Sequence, residues 1–197
     1  MAMVTRRPRH DRDRRWLKLL IAWLCISSLP VWHLAAAVLT EYEVKAGFLY
    51  HFGWFVEWPT TTVQSHEPAF IIGVLGTNPF GGVLNDIIQG KTIRERPGVV
   101  KYYQRVEEAA ASNILFISAA EEARLPAILA GLGGTSVLTV SDIEHFAERG
   151  GMIALRLVDR KVHFDINVDA VDQAGLKLSS QLLRLAKVVH GTQRERE

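Results

Sequence analysis

The chain has one cysteine in 197 residues, Cys25, and it lies in an apolar stretch near the N-terminus. A disulfide framework is thereby excluded, and so is a zinc site built on thiolates. Beyond residue 37 there is no cysteine at all, so that part of the chain has neither a thiol nucleophile nor a redox pair. Internal repeats, low-complexity tracts and linkers long enough to divide the chain are also lacking. One domain is expected. No strong charge of one sign is present either, with 23 Lys plus Arg against 21 Asp plus Glu.

The basic residues are unevenly placed. Seven fall between Arg6 and Lys18, accompanied by Asp11 and Asp13, ahead of an apolar run over 19–37 that closes in Ala35-Ala36-Ala37. A basic segment, a short apolar core and small residues at a cleavage position make a secretory signal peptide. A cut after Ala37 is expected. The other reading is an uncleaved anchor, because 17–39 approaches the roughly 20 residues that span a bilayer; Pro30, His33 and the alanine triplet favour cleavage. Cys25 then leaves with the signal. The remainder carries 16 basic and 19 acidic residues, a net charge of −3, which gives no argument for nucleic acid or anionic lipid as a partner. The expected organisation is a signal over 1–37, one domain over 38–191 and a frayed tail over 192–197.

Helix and strand signals alternate along that domain. Residues 41–57 form a proline-free helix stopped at Trp58-Pro59. A buried strand is expected over 69–75, followed by a turn over 76–82 and a helix reaching Gln89, with Asn78 as its cap and Pro79 at its first position. Strands follow at 99–103 and 113–117. Ser118 caps a helix ending at Gly131, a strand covers 136–140, and Ser141-Asp142 opens a short helix. Such alternation implies parallel strands joined by right-handed crossovers, with helices on both faces of the sheet. Then 152–158 and 161–168, separated only by Asp159-Arg160, form an antiparallel C-terminal hairpin at the sheet edge. Its second arm alternates, so Lys161, His163, Asp165 and Asn167 are expected on a wet face. A last helix over 175–190, with Leu178, Leu182, Leu185 and Val189 in one stripe, is expected to cover the sheet. The fold class is α/β.

The search for chemistry returns little. The 76–82 turn lies where phosphate loops sit but lacks Gly-x-Gly-x-x-Gly spacing and a following Gly-Lys-Ser/Thr. His51, His66, His145, His163 and His190 stand at no metal-ligand spacing, and a His163/Asp165 pair reads as a solvated strand face. Ser179-Ser180 has no nucleophile elbow and no assigned base. Asp86, Glu57 and Asp142 have no visible mates. No catalytic residue, metal or cofactor is expected, and the protein is read as a binding protein rather than an enzyme.

The first helix is unusual. Val44, Phe48, Phe52 and Phe55 form one stripe, while Tyr50, Trp54 and Trp58 form another on nearly the opposite side. Either the domain folds over both, or the second stripe meets another chain, where Trp and Tyr serve as anchors. Candidate partner contacts are Tyr50, Trp54 and Trp58, with Lys45, Arg184 and Lys187 around them. If a small ligand binds instead, it is expected outside the carboxyl ends of the strands, at Thr77, Asn78, Ser141 and Asp142.

Several blocks carry a resemblance. Residues 41–50 (EYEVKAGFLY), 55–59 (FVEWP), Val74-Leu75-Gly76 with Asn78-Pro79-Phe80-Gly81, Leu115-Phe116-Ile117-Ser118, Leu138-Thr139-Val140-Ser141-Asp142, Gly150-Gly151-Met152-Ile153 and 178–183 (LSSQLL) resemble, in order, the YfiR-like family. The resemblance implies a periplasmic α/β regulator that represses a membrane-bound diguanylate cyclase by contacting its periplasmic part. It also implies control of cyclic-di-GMP output, a homodimer, and an outer-membrane lipoprotein as a sequestering partner. The alternative is a periplasmic small-ligand sensor or solute-binding module. Family members often carry Cys near the first strand and just before the Leu-Phe-Ile-Ser strand. Here Gly73 and Ser112-Asn113 stand there, which excludes a disulfide-based role. Ala154 likewise replaces a common Asn.

Overall fold

Thr40 fixes where the first helix begins. Its hydroxyl accepts from the Glu43 N–H while the Glu43 carboxylate accepts from the Thr40 N–H, a reciprocal cap for two otherwise orphaned donors. The helix, α1 (Glu41–Phe55), stops two residues earlier than the sequence suggests. Val56–Glu57 (β1) turns extended because it pairs antiparallel with Lys177–Leu178 (β9), and the Ser179 N–H donates to the Phe55 carbonyl. These elements come from a computed structural model that describes residues 40–60 and 68–190. The expected signal peptide, the 192–197 tail and His66 lie outside the described residues.

The main sheet is built from β2 (Phe70–Leu75), β3 (Thr92–Ile93), β4 (Arg96–Tyr103), β5 (Ile114–Ile117), β6 (Leu138–Ser141), β7 (Ile153–Val158), β8 (Lys161–Asn167) and β10 (Lys187–Val189). Their spatial order is β10-β8-β7-β6-β5-β2-β4-β3, parallel except for the β3–β4 and β7–β8 hairpins. The expected α/β architecture holds, and the C-terminal hairpin lies at the sheet edge with only the three-residue β10 beyond it. Every side chain of β2 is buried, as a central strand covered on both faces requires. One face packs under α1 and α2 (Val83–Ile88) through Phe70, Ile72, Val74 and Phe116. The other packs under α3 (Leu125–Gly131) and two 3₁₀ turns, Val106–Ala111 and Ala119–Arg124, through Leu75, Leu115 and Ile117.

The sheet curls, and α1 lies in its concave side. Phe48 and Phe52 place their rings 5.4 and 5.6 Å from Phe164 of β8, near one end of the strand order. At the other end Gly53 abuts β3 and β2, so closely that a Cβ there would stand 2.6 Å from Ile93. Two aromatic stripes on one helix are thus explained largely by a sheet that reaches round both sides of it. The innermost line is Ala46, Leu49, Phe52 and Gly53, with Val44, Phe48 and Phe55 half-buried beside it.

Four expectations fail locally. Asn78 does not cap a helix: its Oδ1 accepts from the Phe80 N–H and its Nδ2 donates to the Gly81 carbonyl, closing a turn, and α2 starts only at Val83. Residues 142–149 form turns rather than a helix. Asp165 and Asn167 are buried, not wet, because Asp165 binds Arg156 and Asn167 caps the short helix α4 (Val168–Gln173) while donating to the Ala147 carbonyl. The last helix is only α5 (Ser180–Leu185), flanked by β9 and β10, and Leu185 faces solvent at 74% exposure.

Candidate functional site

The chain runs from β2 to β4 on one side and from β4 back to β5 on the other, so a crevice is expected at the carboxyl ends of β2 and β5. Here that crevice is filled. Gly76 adopts φ +84°, and a Cβ on it would stand 2.5 Å from an oxygen of the Glu121 carboxylate. Glu121 is buried and ion-paired to Arg124, whose Nε donates to it at 2.8 Å. A carboxylate in that position repels phosphate, which agrees with the missing glycine spacing. Thr77 is exposed beside it, and Ser141 is consumed structurally: its hydroxyl donates to the Ile117 carbonyl (2.6 Å) and accepts from the Ile143 N–H (3.0 Å).

Asp142, one residue beyond β6, has partners that the sequence concealed. Its Oδ2 accepts from the Lys45 ammonium at 2.6 Å and from the Tyr42 hydroxyl at 3.0 Å, both on the first turns of α1. Glu41 lies 2.5 Å from the same ammonium, one helical turn back. Lys45 is 2% exposed. Its expected role as a surface contact is therefore corrected: it is a buried cation that ties α1 to the end of β6. Burial alone would lower its pKa, but the hydrogen bonds that the ammonium donates to Asp142 and Glu41 outweigh that and hold it above the ordinary lysine value. Burial, then the charge of Asp142, pushes the Tyr42 phenol up. The cluster forms one wall of a cleft of about 470 Å³ whose other wall is Leu155, Arg156, Leu157 and Val158. The second Asp142 oxygen, Oδ1, is buried with no hydrogen-bond partner among the described residues.

The aromatic candidates divide. Tyr50 is half-buried with the Lys91 ammonium 4.9 Å from its ring centre. Trp58 packs edge-on against Phe70 at 5.2 Å, with the Arg94 guanidinium 6.0 Å from its ring. Trp54 alone projects, at 46% exposure. Arg94 donates from Nε to the Gly53 carbonyl at 3.0 Å and reaches the Trp54 carbonyl, satisfying acceptors at the C-terminal end of α1. That arginine was invisible as a contact. It sits with Glu95 in a two-residue turn at positive φ between β3 and β4, without the Asn-Gly signature that usually announces such turns. Arg184 and Lys187 are exposed on α5 and β10, beside Leu185 and Val188. Trp54 borders the β3 end of the sheet order and Lys187 forms the β10 end, so the expected set is not one contiguous run of sequence or strands.

His163 is exposed and Asp165 is committed to Arg156 at 2.7 Å, so the two do not form a pair. Among the described residues no group of three His, Cys, Asp or Glu is placed to hold a metal. Ser179 caps α5 by accepting from the Leu182 N–H, which accounts for its hydroxyl. Asp86 and Glu57 join no polar cluster of the site.

The positions where the resemblance led one to look for cysteines are neighbours. A Cβ on Gly73 would lie 2.7 Å from Ser112 Oγ, and Ser112 in turn donates to the Tyr103 hydroxyl at 3.3 Å. The Tyr103 ring and Leu115 fill the remaining space, each 2.8 Å from that Cβ position. Ala154 is buried against Leu115 and its neighbours on the α3 face. Among the described residues no helix is long and apolar enough to cross a membrane. Residues 42–187, nearly everything from the first turn of α1 to the start of β10, match the YfiR/HmsC-like family, and the chain belongs to it.

Proposed function

We propose that the protein is exported to the periplasm, where, as a homodimer, it binds and represses a membrane-bound diguanylate cyclase through that enzyme's periplasmic part and so lowers cyclic-di-GMP output. Family membership supports the regulatory class. The observation that carries the binding mode is Trp54: a large aromatic left half-exposed on a helix whose inner line the sheet covers, its backbone carbonyl held by Arg94. Rigid, projecting tryptophans are the side chains most often found as interface anchors. Arg184, Leu185 and Lys187 form a second exposed surface for the same partner or for a sequestering lipoprotein. Trp54→Ala is expected to raise cellular cyclic-di-GMP while the protein remains exported and folded. An unchanged level with a stable variant overturns the reading.

A second reading rests on the Asp142 cleft. Glu41, Asp142 and Glu144 line it against Lys45 and Arg156, a net negative lining that favours an ammonium-bearing metabolite. A ligand at 100 times its dissociation constant adds about 2.7 kcal/mol to stability, so a thermal-shift screen of amines and amino acids that moves no melting temperature rejects the sensor.

A further inference from the structure

β7 outruns one of its neighbours. Its parallel ladder to β6 ends with Ser141 opposite Ala154, while β7 itself continues to Val158. On the other side β8 accompanies it to the turn, with Val158 opposite Lys161. Asp159 and Arg160 both adopt positive φ, so the residues flanking this two-residue turn, Val158 and Lys161, exchange both backbone hydrogen bonds. Even-numbered residues of β7 therefore aim at β8, as the Met152 carbonyl does in accepting from the Asn167 N–H at 2.9 Å. Odd-numbered residues aim the other way. The last rung to β6 uses the Leu155 N–H. The Leu155 carbonyl and both backbone groups of Leu157 then face a slot that no strand fills among the described residues.

That slot is open space. The cleft of about 470 Å³ touches Leu155, Arg156, Leu157 and Val158, consecutive residues whose side chains alternate between faces, so it runs along the edge of the strand. At its inner end, where β6 stops, it meets Asp142 and Glu144, and the first turn of α1 adds Glu41. Glu41 and Glu144 keep 34% and 87% of their side chains exposed, within reach of a ligand. Both cations of the lining are already engaged, Lys45 by Asp142 and Glu41, and Arg156 by Asp165. The cleft thus joins an acidic inner end to a wall of unpaired backbone.

We propose that this slot captures the free amino terminus of an extended peptide, laid parallel to β7 as a short continuation of the sheet. The inference rests on the ammonium-binding reading of the cleft and gives that ammonium a peptide to carry it. Polarity follows from charge: a parallel peptide begins at the acidic end, whereas an antiparallel one brings its carboxylate there. Register follows from the unpaired groups. The first residue, opposite Arg156, donates from its ammonium to the Leu155 carbonyl and accepts at its carbonyl from the Leu157 N–H. The N–H of the third residue reaches the Leu157 carbonyl, so three residues satisfy every open group of the overhang. The second residue, opposite Leu157, turns its side chain to the α1 face, where Leu157 is 50% exposed, and is therefore apolar.

The test is calorimetric titration of the exported protein with the peptide Ala-Val-Thr-Val-Thr-amide, its N-acetylated form, and valinamide. The free peptide is expected to bind about tenfold or more tighter than either of the others, since acetylation removes the charge and valinamide lacks the strand. Leu157→Pro deletes an outward donor and leaves the ladder to β8 intact, because that ladder uses the even residues; it is expected to lose peptide binding with an unchanged far-UV spectrum. Glu144→Lys, at an exposed site, is expected to weaken the peptide by about tenfold. If Leu157→Pro unfolds, acetylation and Glu144→Lys decide. Valinamide binding as tightly as the peptide overturns this inference while the ammonium site stands. A peptide indifferent to acetylation, or to both variants, overturns it as well, and a protein that binds none of the three overturns the ammonium site with it.

Discussion

The two ends of α1 are held to the same sheet by different physics. At the N-terminal end the attachment is polar: Lys45 and Tyr42 converge on Asp142 across about a hundred residues of chain, and Glu41 holds the same ammonium from one helical turn back. At the C-terminal end it is steric, with Gly53 pressed on Ile93 and Phe70 and Trp58 edge-on to Phe70. The polar end specifies a partner, because a buried ammonium accepts only an anion at the right place. The steric end specifies a distance, because only a residue without Cβ lets the backbone come that near. Between them, the helix is fixed in register as well as in depth.

The comparison breaks most visibly at the polar end. Asp142→Ala leaves the Lys45 ammonium buried with Glu41 as its sole carboxylate, and breaking such a pair costs about 3–5 kcal/mol; denaturant unfolding should show a fall of that size. Lys45→Met combined with Asp142→Leu is expected to restore most of it, since two apolar groups leave no charge stranded. At the steric end Gly53→Val forces Ile93 and Phe70 apart at a cost of about 1–3 kcal/mol, visible as a lower melting temperature with little change in alkaline behaviour.

High pH separates the two ends without mutation. Lys45 keeps its proton more tightly folded than unfolded, so its contribution is complete below its unfolded pKa of about 10.4 and disappears as pH rises through the higher folded value. Tyr42 works in the same direction: with its phenol pKa raised, the folded state resists the ionisation that the unfolded chain undergoes near pH 10. Stability should therefore decline above about pH 10, and Lys45→Met with Tyr42→Phe should flatten that limb. Gly53→Val should leave it steep. The smallest effect on stability belongs to Trp54→Ala, within about 0.5 kcal/mol, which makes it the clean probe of partner binding.

How much of this was legible in the sequence depends on distance along the chain. The start of α1, the strand 114–117, the Ser118 cap and the Asp159-Arg160 hairpin were readable because their causes are local: a capping box, an apolar run, a hydroxyl, a two-residue turn. The C-terminal stripe Leu178, Leu182, Leu185, Val189 has helical spacing, yet only six residues are helical. The Ser179 N–H is claimed by Phe55, and 187–189 finds a better place beside β8. Asp142 looked solitary because its mates lie in the first helix. Lys45 looked exposed because nothing local marks a lysine as buried.

The short β1–β9 ladder has a mechanical consequence. It closes a clasp in which Val56 and Glu57 hold Leu178 and Lys177, while Ser179 occupies the last carbonyl of α1. A pull on the C-terminal segment is therefore felt first at the foot of the helix that displays Trp54, and amide exchange at the two places should open as one unit rather than fray independently.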